Sequence, residues 1–450
     1  MIKLRFKRIR ALKLDEIILT ILLLQVMVIC WISLDLQDVF NHLLVVLIVV
    51  SCLRHKKFVT SPLFGAMLLF VGYQFINFLI LGGHFSCFMR NWYRTFKSIL
   101  IIVYFSELVK NEGDLVSSFL VKCLKLFNIY ALINIPILLS QRLHNFDTTS
   151  FEALIGSVSY RNSMFYSKDM MSGLFGLYGT PRLAVFIAFL VMFNFVANRV
   201  FVQQKSITFE VYNVLLLAFY LWMATQNDNK GFYIILVLFA FITYVSFYEG
   251  RIISNTKRAQ KKRIWILLFR ATLIIVLIFS LGVIAYKTSD LFKETVDEAV
   301  LKIREGFLIP SYLSYNKVTG GGERFAMILF ALSRVDTAVI GFGLGNYLYT
   351  SGNLGFQHFG QADVGTFICL GGSLYIVLMF LVVYLALKRN LRKSIIPPIM
   401  LIAFFILSCY THVLMDTGIT IPLCWFYIII WISYEMRKTE NNGAFLEVRN

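Results

Sequence analysis

Charged residues are scarce in this chain. Asp, Glu, Lys and Arg together make up 15% of its 450 residues, whereas about a quarter of the residues in a soluble domain are charged. Hydrophobic residues make up 58%, and the mean hydropathy is +0.73. So little polar surface cannot cover a folded chain in water. The composition therefore excludes a soluble globular enzyme and a disordered protein.

Motifs for metals, nucleotides and disulfide frameworks are also missing. The seven cysteines form no CxxC pair, and the six histidines form no HExxH motif. No Walker A sequence and no G-x-S-x-G elbow is present, which excludes ATP-driven pumping by this chain. We therefore expect no metal and no cofactor.

Long apolar runs occupy much of the chain instead. Because a membrane-spanning helix needs about 20 apolar residues, we predict an all-α polytopic membrane protein with about 12 transmembrane helices. The prediction is a single integral membrane domain over residues 1–450. The predicted spans lie near residues 15–34, 39–53, 62–81, 95–110, 117–140, 182–202, 207–226, 231–249, 264–286, 363–387, 394–413 and 418–436.

The net charge of +18 falls on one side of the predicted membrane. Loops assigned to the inside contain about 25 basic and about 10 acidic residues, while the outer segments contain about 15 of each. Because basic loops favour the cytoplasmic side, both termini are predicted to be cytoplasmic. Such loops meet anionic lipid headgroups, so the charge indicates membrane lipids and no nucleic acid as partners.

Two predicted external loops are long, at residues 141–181 and 287–362. Long loops are often functional. The second begins with an amphipathic pattern over residues 291–306, and after a glycine triplet a second helical run covers about residues 323–334. We expect these amphipathic helices to form a lid over a cavity.

Several cations lie in or beside these loops, or in a short outer turn. They are Arg161, Arg182, Lys230, Arg324 and Arg334. An arginine presents a planar, permanently charged fork that suits phosphate. Each cation has an ordinary alternative role, in which it extends to lipid headgroups or pairs with a carboxylate. Because several converge on loops long enough to enclose a ligand, we predict that they bind substrate.

A glycine run and two candidate bases follow. Gly341, Gly343 and Gly345 are expected to allow a tight turn and close backbone approach to a ligand, or to form an ordinary turn that returns the chain to the membrane. His358 and Asp363 are candidate general bases. Alternatively, Asp363 caps the next helix and His358 is a solvated loop residue.

Several of these segments carry a family resemblance. They are residues 179–182, 227–231, 323–325 and 340–345, His358, and residues 361–378 with the pair Gly371-Gly372. Together with the two-loop layout, they resemble the O-antigen polymerases (Wzy) and O-antigen ligases (WaaL) of bacterial envelopes. The resemblance implies a GT-C-like membrane glycosyltransferase.

The implied activity is the polymerisation of undecaprenyl-diphosphate-linked oligosaccharide repeat units. It would build O-antigen or capsular polysaccharide, such as that of lipopolysaccharide, at the outer face of the bacterial cytoplasmic (inner) membrane. The sequence HFGQAD lacks the His-Asn pair of the ligases, which favours a polymerase, and Lys230 replaces the usual arginine. A ligase and a transporter or flippase of lipid-linked oligosaccharide remain alternatives, although the spans hold few charges for a transporter.

The resemblance also implies partners and roles. The donor and the acceptor would both be lipid-linked oligosaccharides, and a chain-length regulator would be a further partner. Arg324, with Arg182 or Arg161, would offset charge on the departing diphosphate. His358 or Asp363 would take the proton of the acceptor hydroxyl. No metal would be required.

Overall fold

A computed structural model describes most of the membrane-embedded part of the chain. The described residues are 14–32, 34–143, 171–176, 179–200, 206–227, 229, 231–252, 286–287, 293, 297, 327–328, 331–332, 335–346, 362–392 and 394–441.

Helices account for nearly all of these residues. The long ones are α1 (Leu14–Ile32), α2 (Leu34–Arg54), α3 (Pro62–Leu81), α4 (Phe85–Leu143), α5 (Thr180–Val200), α6 (Ile207–Gln226), α7 (Gly231–Ile252), α8 (Asp363–Asn390), α9 (Ile396–Tyr410) and α10 (Thr417–Asn441). Short helices cover Lys56–Val59, Gly173–Phe175 and Val335–Ile340, and α1 contains a π-helical turn at Gln25–Ile29.

The predicted fold class is confirmed at the level of an all-α, multi-pass membrane protein. Within the described ranges, nine helices are long and apolar enough to cross a membrane, and α9 is a shorter apolar helix. The single extended contact found there is an isolated bridge between Gly83 and Gly345. The count of twelve spans stays a prediction, because the predicted span 264–286 lies outside the described residues.

Helix α4 covers two predicted spans in one element. It is 59 residues long, and its backbone leaves the helical conformation at Glu112, with φ −139° and ψ 44°. The two halves correspond to the predicted spans 95–110 and 117–140. However, α4 begins at Phe85, well before residue 95, so its first three turns lie in a segment that the apolar pattern assigned to a loop.

The core of the bundle is built around α10 and α5. In their most apolar stretches 94% and 83% of the residues are buried, against 22% for α6. A helix that is apolar on all sides fits the interior of a bundle, whereas α6 leaves most of its surface for lipid. Aromatic rings fill the space between helices; the ring centroid of Trp425 lies 5.0 Å from that of Phe127 and 5.6 Å from that of Phe189.

Two buried ion pairs lie at the two ends of the bundle. At the predicted inner end, Arg389 of α8 forms an ion pair with Glu107 of α4, and both side chains are almost fully buried. At the predicted outer end, Arg182 at the start of α5 pairs with Asp416, just before α10. The outer end carries the candidate site.

Candidate functional site

The predicted site residues divide into a described and an undescribed set. Those within the described residues are Arg182, Gly341, Gly343, Gly345 and Asp363. Arg161, Lys230, Arg324, Arg334 and His358 lie outside the described residues, as do most of the two long external loops.

Arg182 is the buried cation at the centre of the predicted outer end. Its side chain is 9% exposed. Its Nε donates a hydrogen bond to Asp416 Oδ2 at 2.7 Å, and Nη2 donates to Gln37 Oε1 at 3.2 Å. The arginine lies in the first turn of α5, directly after Pro181, and proline is well tolerated at that place in a helix. A guanidinium held from two sides has a fixed orientation, as a phosphate site requires.

Asp416 uses each carboxylate oxygen for a different contact. Oδ2 binds Arg182, while Oδ1 accepts the backbone N–H of Gly418 at 2.8 Å and so caps the start of α10. Burial raises the pKa of Asp416, but the Arg182 guanidinium and the nearby His412 lower it more, so that pKa lies below its usual value. The carboxylate therefore stays ionised at neutral pH.

Glycine 418 makes room for this ion pair. A Cβ atom at that position would lie 2.8 Å from Arg182 Nε. Any larger residue would push the guanidinium away from the carboxylate. The absence of a side chain at Gly418 thus lets α10 begin directly beside Arg182.

A network of neutral polar side chains extends the site between α1, α2 and α10. Gln25 Nε2 donates to Asn41 Oδ1 at 3.1 Å, and the Thr417 hydroxyl donates to the same oxygen at 3.1 Å. Gln37 Nε2 reaches the Thr417 hydroxyl at 3.4 Å, which links the network to Arg182. These four side chains are buried. Burial of an amide group costs free energy unless the group is hydrogen-bonded. The network satisfies these amides and forms a polar layer beneath the ion pair.

Lys97 of α4 supplies a second buried cation. Its Nζ lies 3.7 Å from Asp38 Oδ1 and 5.6 Å from the centre of the Tyr93 ring. The lysine side chain is 10% exposed, whereas Asp38 is 64% exposed. Arg182 and Asp416 are both close enough to act on the charge of Lys97. An ionisable group buried among membrane helices is a functional-site candidate, because burying it is costly.

Asp363 is buried and holds the loop that carries Asp416. It is the first residue of α8 and is fully inaccessible to solvent. Oδ2 accepts the backbone N–H of Leu414 at 2.6 Å, and the Asp363 backbone N–H donates to Thr411 O at 3.4 Å. The Oδ2 atom of Asp363 thus contacts the 411–416 turn, while its Oδ1 atom is buried without a hydrogen-bond partner among the described residues.

The three glycines form a turn that packs on the backbone of α8. Gly341 and Gly343 have φ of 73° and 105°, which favour glycine. The N–H groups of Phe342 and Gly343 donate to Cys369 O at 2.7 Å and Leu370 O at 2.9 Å. These carbonyls precede Gly372, where α8 is broken by a φ of 71°. In the described structure, therefore, the close backbone approach of the glycine turn is to α8.

Two asparagines fasten the glycine turn to α3 and α4. Asn77 of α3 donates to Ile340 O at 2.7 Å and accepts the N–H of Leu344 at 3.0 Å. Asn91 of α4 donates to Leu344 O at 2.8 Å. Helix α4 thus contacts the glycine turn near its start and, less than two turns later, carries Lys97 beside Asp38.

The polar turn at 227–231 fixes the entrance to α5. Asn227 Nδ2 donates to Met171 O at 3.0 Å, and Asn229 Nδ2 donates to Thr180 O at 2.7 Å. Beside this turn, an apolar depression opens between α5, α6 and α7. Leu183, Ile187, Tyr220 and Phe232 contribute to its lining.

The sequence analysis did not single out Lys97, Gln37 or Asp416 as candidates for this site. Lys97 was assigned to an apolar span, and no local pattern links Asp416 to Arg182, which lies 234 residues earlier. One signal was available. Arg90, Arg94 and Lys97 are spaced i, i+4, i+7, the repeat of one helix face.

The described part of the chain contains neither a cluster of potential metal ligands nor a disulfide. No group of three or more His, Cys, Asp or Glu residues in that part is arranged to hold a metal ion. All seven cysteines are described and are free thiols.

Comparison with known proteins identifies no family for this chain. It matches no protein-family model and has no significant match among curated proteins.

Proposed function

We propose that this protein is a membrane glycosyltransferase that polymerises undecaprenyl-diphosphate-linked oligosaccharide repeat units. The observation that carries the proposal is the buried Arg182–Asp416 pair, with Lys97 nearby, at one end of a helical membrane bundle. A fixed guanidinium at that place suits a diphosphate whose prenyl chain remains in the bilayer. The type of reaction, glycan polymerisation, is proposed from the segments that resemble O-antigen polymerases.

The reaction transfers a glycan between two lipid carriers. The bond between C1 of the donor glycan and the diphosphate oxygen breaks, and its electron pair leaves with undecaprenyl diphosphate. A bond forms between the same C1 and a hydroxyl oxygen of the acceptor repeat unit. The hydroxyl proton goes to a general base. No ATP is consumed, because the donor is already activated by its diphosphate.

The described residues support distinct roles in this reaction. Arg182 would stabilise the negative charge that develops on the leaving diphosphate, and its fixed orientation means that little reorganisation is needed in the transition state. Asp416 and Gln37 hold Arg182 in place. Asp363 would position the turn before α10. The family resemblance then assigns the role of general base to His358 and that of a further diphosphate ligand to Arg324.

Gene deletion with gel analysis of surface glycan tests the proposal. A strain without this protein should carry glycan of one repeat unit in place of the long ladder, and plasmid expression should restore the ladder. A normal ladder in the deletion strain would overturn the proposal. Completed chains that accumulate on the lipid carrier would indicate a ligase, and repeat units trapped on the cytoplasmic face would indicate a flippase.

Complementation with point variants tests the site. Arg324→Ala and Arg182→Lys should each restore little or no ladder at normal protein level. The first variant removes the charge, and the second keeps the charge but loses the planar guanidinium that can donate two parallel hydrogen bonds. Arg199→Ala is the matched control. Arg199 is a partly exposed arginine paired with Glu210 at the predicted inner end, and its variant should restore the full ladder. A full ladder from both site variants would contradict the assignment.

A further inference from the structure

The turn between α9 and α10 carries a histidine that the proposed function has not used. His412 lies four residues before Asp416, in the 411–416 turn that brings Asp416 to Arg182. Its side chain is half-buried, whereas Asp363, which binds the same turn, is fully inaccessible to solvent. Part of the imidazole is therefore accessible at the predicted outer end. Histidine is the side chain that most often serves as a general base near neutral pH.

The backbone on both sides of His412 is held in place. Before it, the Thr411 N–H donates to Leu407 O at 2.8 Å, where α9 ends. After it, the Thr420 hydroxyl donates to Val413 O at 2.6 Å, which ties the turn to α10. A base on a backbone that is fixed from both sides needs little reordering to reach its substrate.

The two ends of this turn contact other parts of the candidate site. At the α9 end, Gly231 of α7 packs on the Tyr410 ring, and a Cβ atom at Gly231 would lie 2.6 Å from Tyr410 Cε1. At the α10 end, Gly418 lies against the Arg182 guanidinium. His412 lies between these two contacts in the chain. The turn therefore places the histidine beside the buried cation and beside the polar turn that precedes α7.

The charges near His412 suit a base that becomes protonated. His412 and Asp416 are close enough for their charges to interact. An ionised carboxylate stabilises the positive charge that an imidazole gains with a proton. The same carboxylate binds Arg182. One acidic residue thus serves both the cation assigned to the leaving diphosphate and the imidazole that would face the acceptor.

We propose that His412 is the general base of the transfer, a role that the family resemblance gives to His358. This inference rests on the proposed function. A neutral imidazole nitrogen of His412 takes the proton of the acceptor hydroxyl, and the hydroxyl oxygen forms the bond to C1 of the donor glycan. The electron pair of the broken bond leaves with the diphosphate at Arg182. The imidazolium then returns its proton to water.

Complementation of the deletion strain with histidine variants tests the assignment. At normal protein level, His412→Ala should slow polymerisation about 10²–10⁴-fold and leave glycan of one repeat unit. Imidazole added to the medium should restore part of the ladder, because it supplies the missing base in the space that alanine leaves.

His55→Ala is the matched control for the loss of a histidine. His55 is also half-buried, but it lies at the predicted inner end, and its side chain makes no capping hydrogen bond to the short helix that follows. Its variant should restore the full ladder without imidazole.

A second variant covers the case in which His412→Ala fails to fold, as judged by thermal size-exclusion chromatography. His412→Gln keeps a polar side chain of similar size, so it should fold normally. It should give no ladder with or without imidazole, because glutamine fills the space and cannot take the proton. A full ladder from either folded variant would overturn the inference. A folded His412→Ala variant that imidazole does not rescue would also overturn it, since the role of His412 would then be structural.

His358→Ala separates the two candidate bases, and it should keep a ladder. If imidazole restores the ladder of His358→Ala and not that of His412→Ala, the base is His358 and the inference is overturned. Gene deletion separates the inference from the proposed function. If deletion leaves the ladder unchanged, the polymerase proposal fails. If deletion removes the ladder and both His412 variants restore it in full, the assignment of the base fails and the polymerase proposal stands.

Discussion

Arg182 and Asp416 show how a single pair of residues connects folding to the proposed chemistry. Removal of one member leaves the other as a bare buried charge, which typically costs about 3–5 kcal/mol. A loss of glycan in a single variant could therefore arise from unfolding alone. A test has to remove both charges together.

The double variant Arg182→Met/Asp416→Asn makes this separation. Methionine fills the space of the arginine stem, and asparagine still caps Gly418 N–H. The double variant should unfold at a higher temperature than Arg182→Met alone, measured by thermal size-exclusion chromatography in detergent, yet still give no glycan ladder. A restored ladder would show that the pair serves stability only.

Asp363 gives a second prediction for a single residue. Asp363→Ala leaves the N–H of Leu414 without its acceptor and should destabilise the fold by about 1–3 kcal/mol. Asp363→Asn keeps an acceptor oxygen and should be milder. The same thermal assay measures both variants. If Asp363→Asn abolishes the ladder without lowering stability, Asp363 is a catalytic base and not a positioning residue.

The sequence singled out some residues of the candidate site, but it did not predict their contact partners. Arg182 could be proposed as a site residue from the sequence, because an arginine beside a long loop stands out in an apolar chain. Its partners Asp416 and Gln37 could not be predicted, because the contacts depend on how α10 and α2 pack against α5. No local sequence pattern indicates that packing. Asp363 was correctly predicted to lie at the start of a helix. Its hydrogen bond with Leu414 could not be predicted, because it forms only when two distant segments pack together.

At the scale of elements, the glycine turn and the break in α8 form one unit. The broken helix would leave the Cys369 and Leu370 carbonyls without partners in a medium that offers no water. The N–H groups of Phe342 and Gly343 satisfy them. The glycines were predictable as a turn, but their role as a cap for another helix was not.

Substitution of these glycines should therefore destabilise the bundle. A Cβ at Gly341 would lie 2.6 Å from Gly371 N, and one at Gly372 would collide with Val339 O. Gly341→Ala and Gly372→Ala should each lower the unfolding temperature, with strain of about 1–3 kcal/mol from the positive φ alone. Gly65→Ala is the control. Its Cβ would meet nothing within 4 Å, and alanine within a helix should stabilise by about 0.5–1 kcal/mol. Equal effects at all three positions would contradict the capping role.

The start of α4 illustrates why helix ends are hard to predict. The apolar run that the pattern recognises begins near residue 95, but the helix continues back to Phe85. Its first turns are held by the glycine turn through Asn91 and by the bond from His84 N–H to Gly345 O. These tertiary contacts, together with the burial of Phe88 against Phe78, stabilise the helical turns before residue 95.

For the whole molecule, the sequence predicted a helical membrane protein because hydropathy alone demands it. The orientation in the membrane remains a prediction from charge. Two exposed positions can test it, Thr60 at the predicted inner end and Ser86 at the predicted outer end.

Labelling with a membrane-impermeant maleimide gives the measurement. The native cysteines are buried or half-buried, so added surface thiols should dominate the signal. Ser86→Cys should be labelled in intact spheroplasts, and Thr60→Cys only after permeabilisation. The reverse pattern would invert the predicted topology and move the candidate site to the cytoplasmic face.

The ion pairs at the two ends of the bundle also restrict its motion. Arg389–Glu107 joins α8 to α4 at one end, and Arg182–Asp416 joins α5 to the start of α10 at the other. Sliding a helix by one turn, about 5.4 Å, would pull either pair apart and leave two buried charges without their partners. Piston-like displacement of these four helices is therefore unfavourable. Under the proposed function, a growing glycan would therefore advance past a stationary scaffold, with the movement supplied by the lipid carriers.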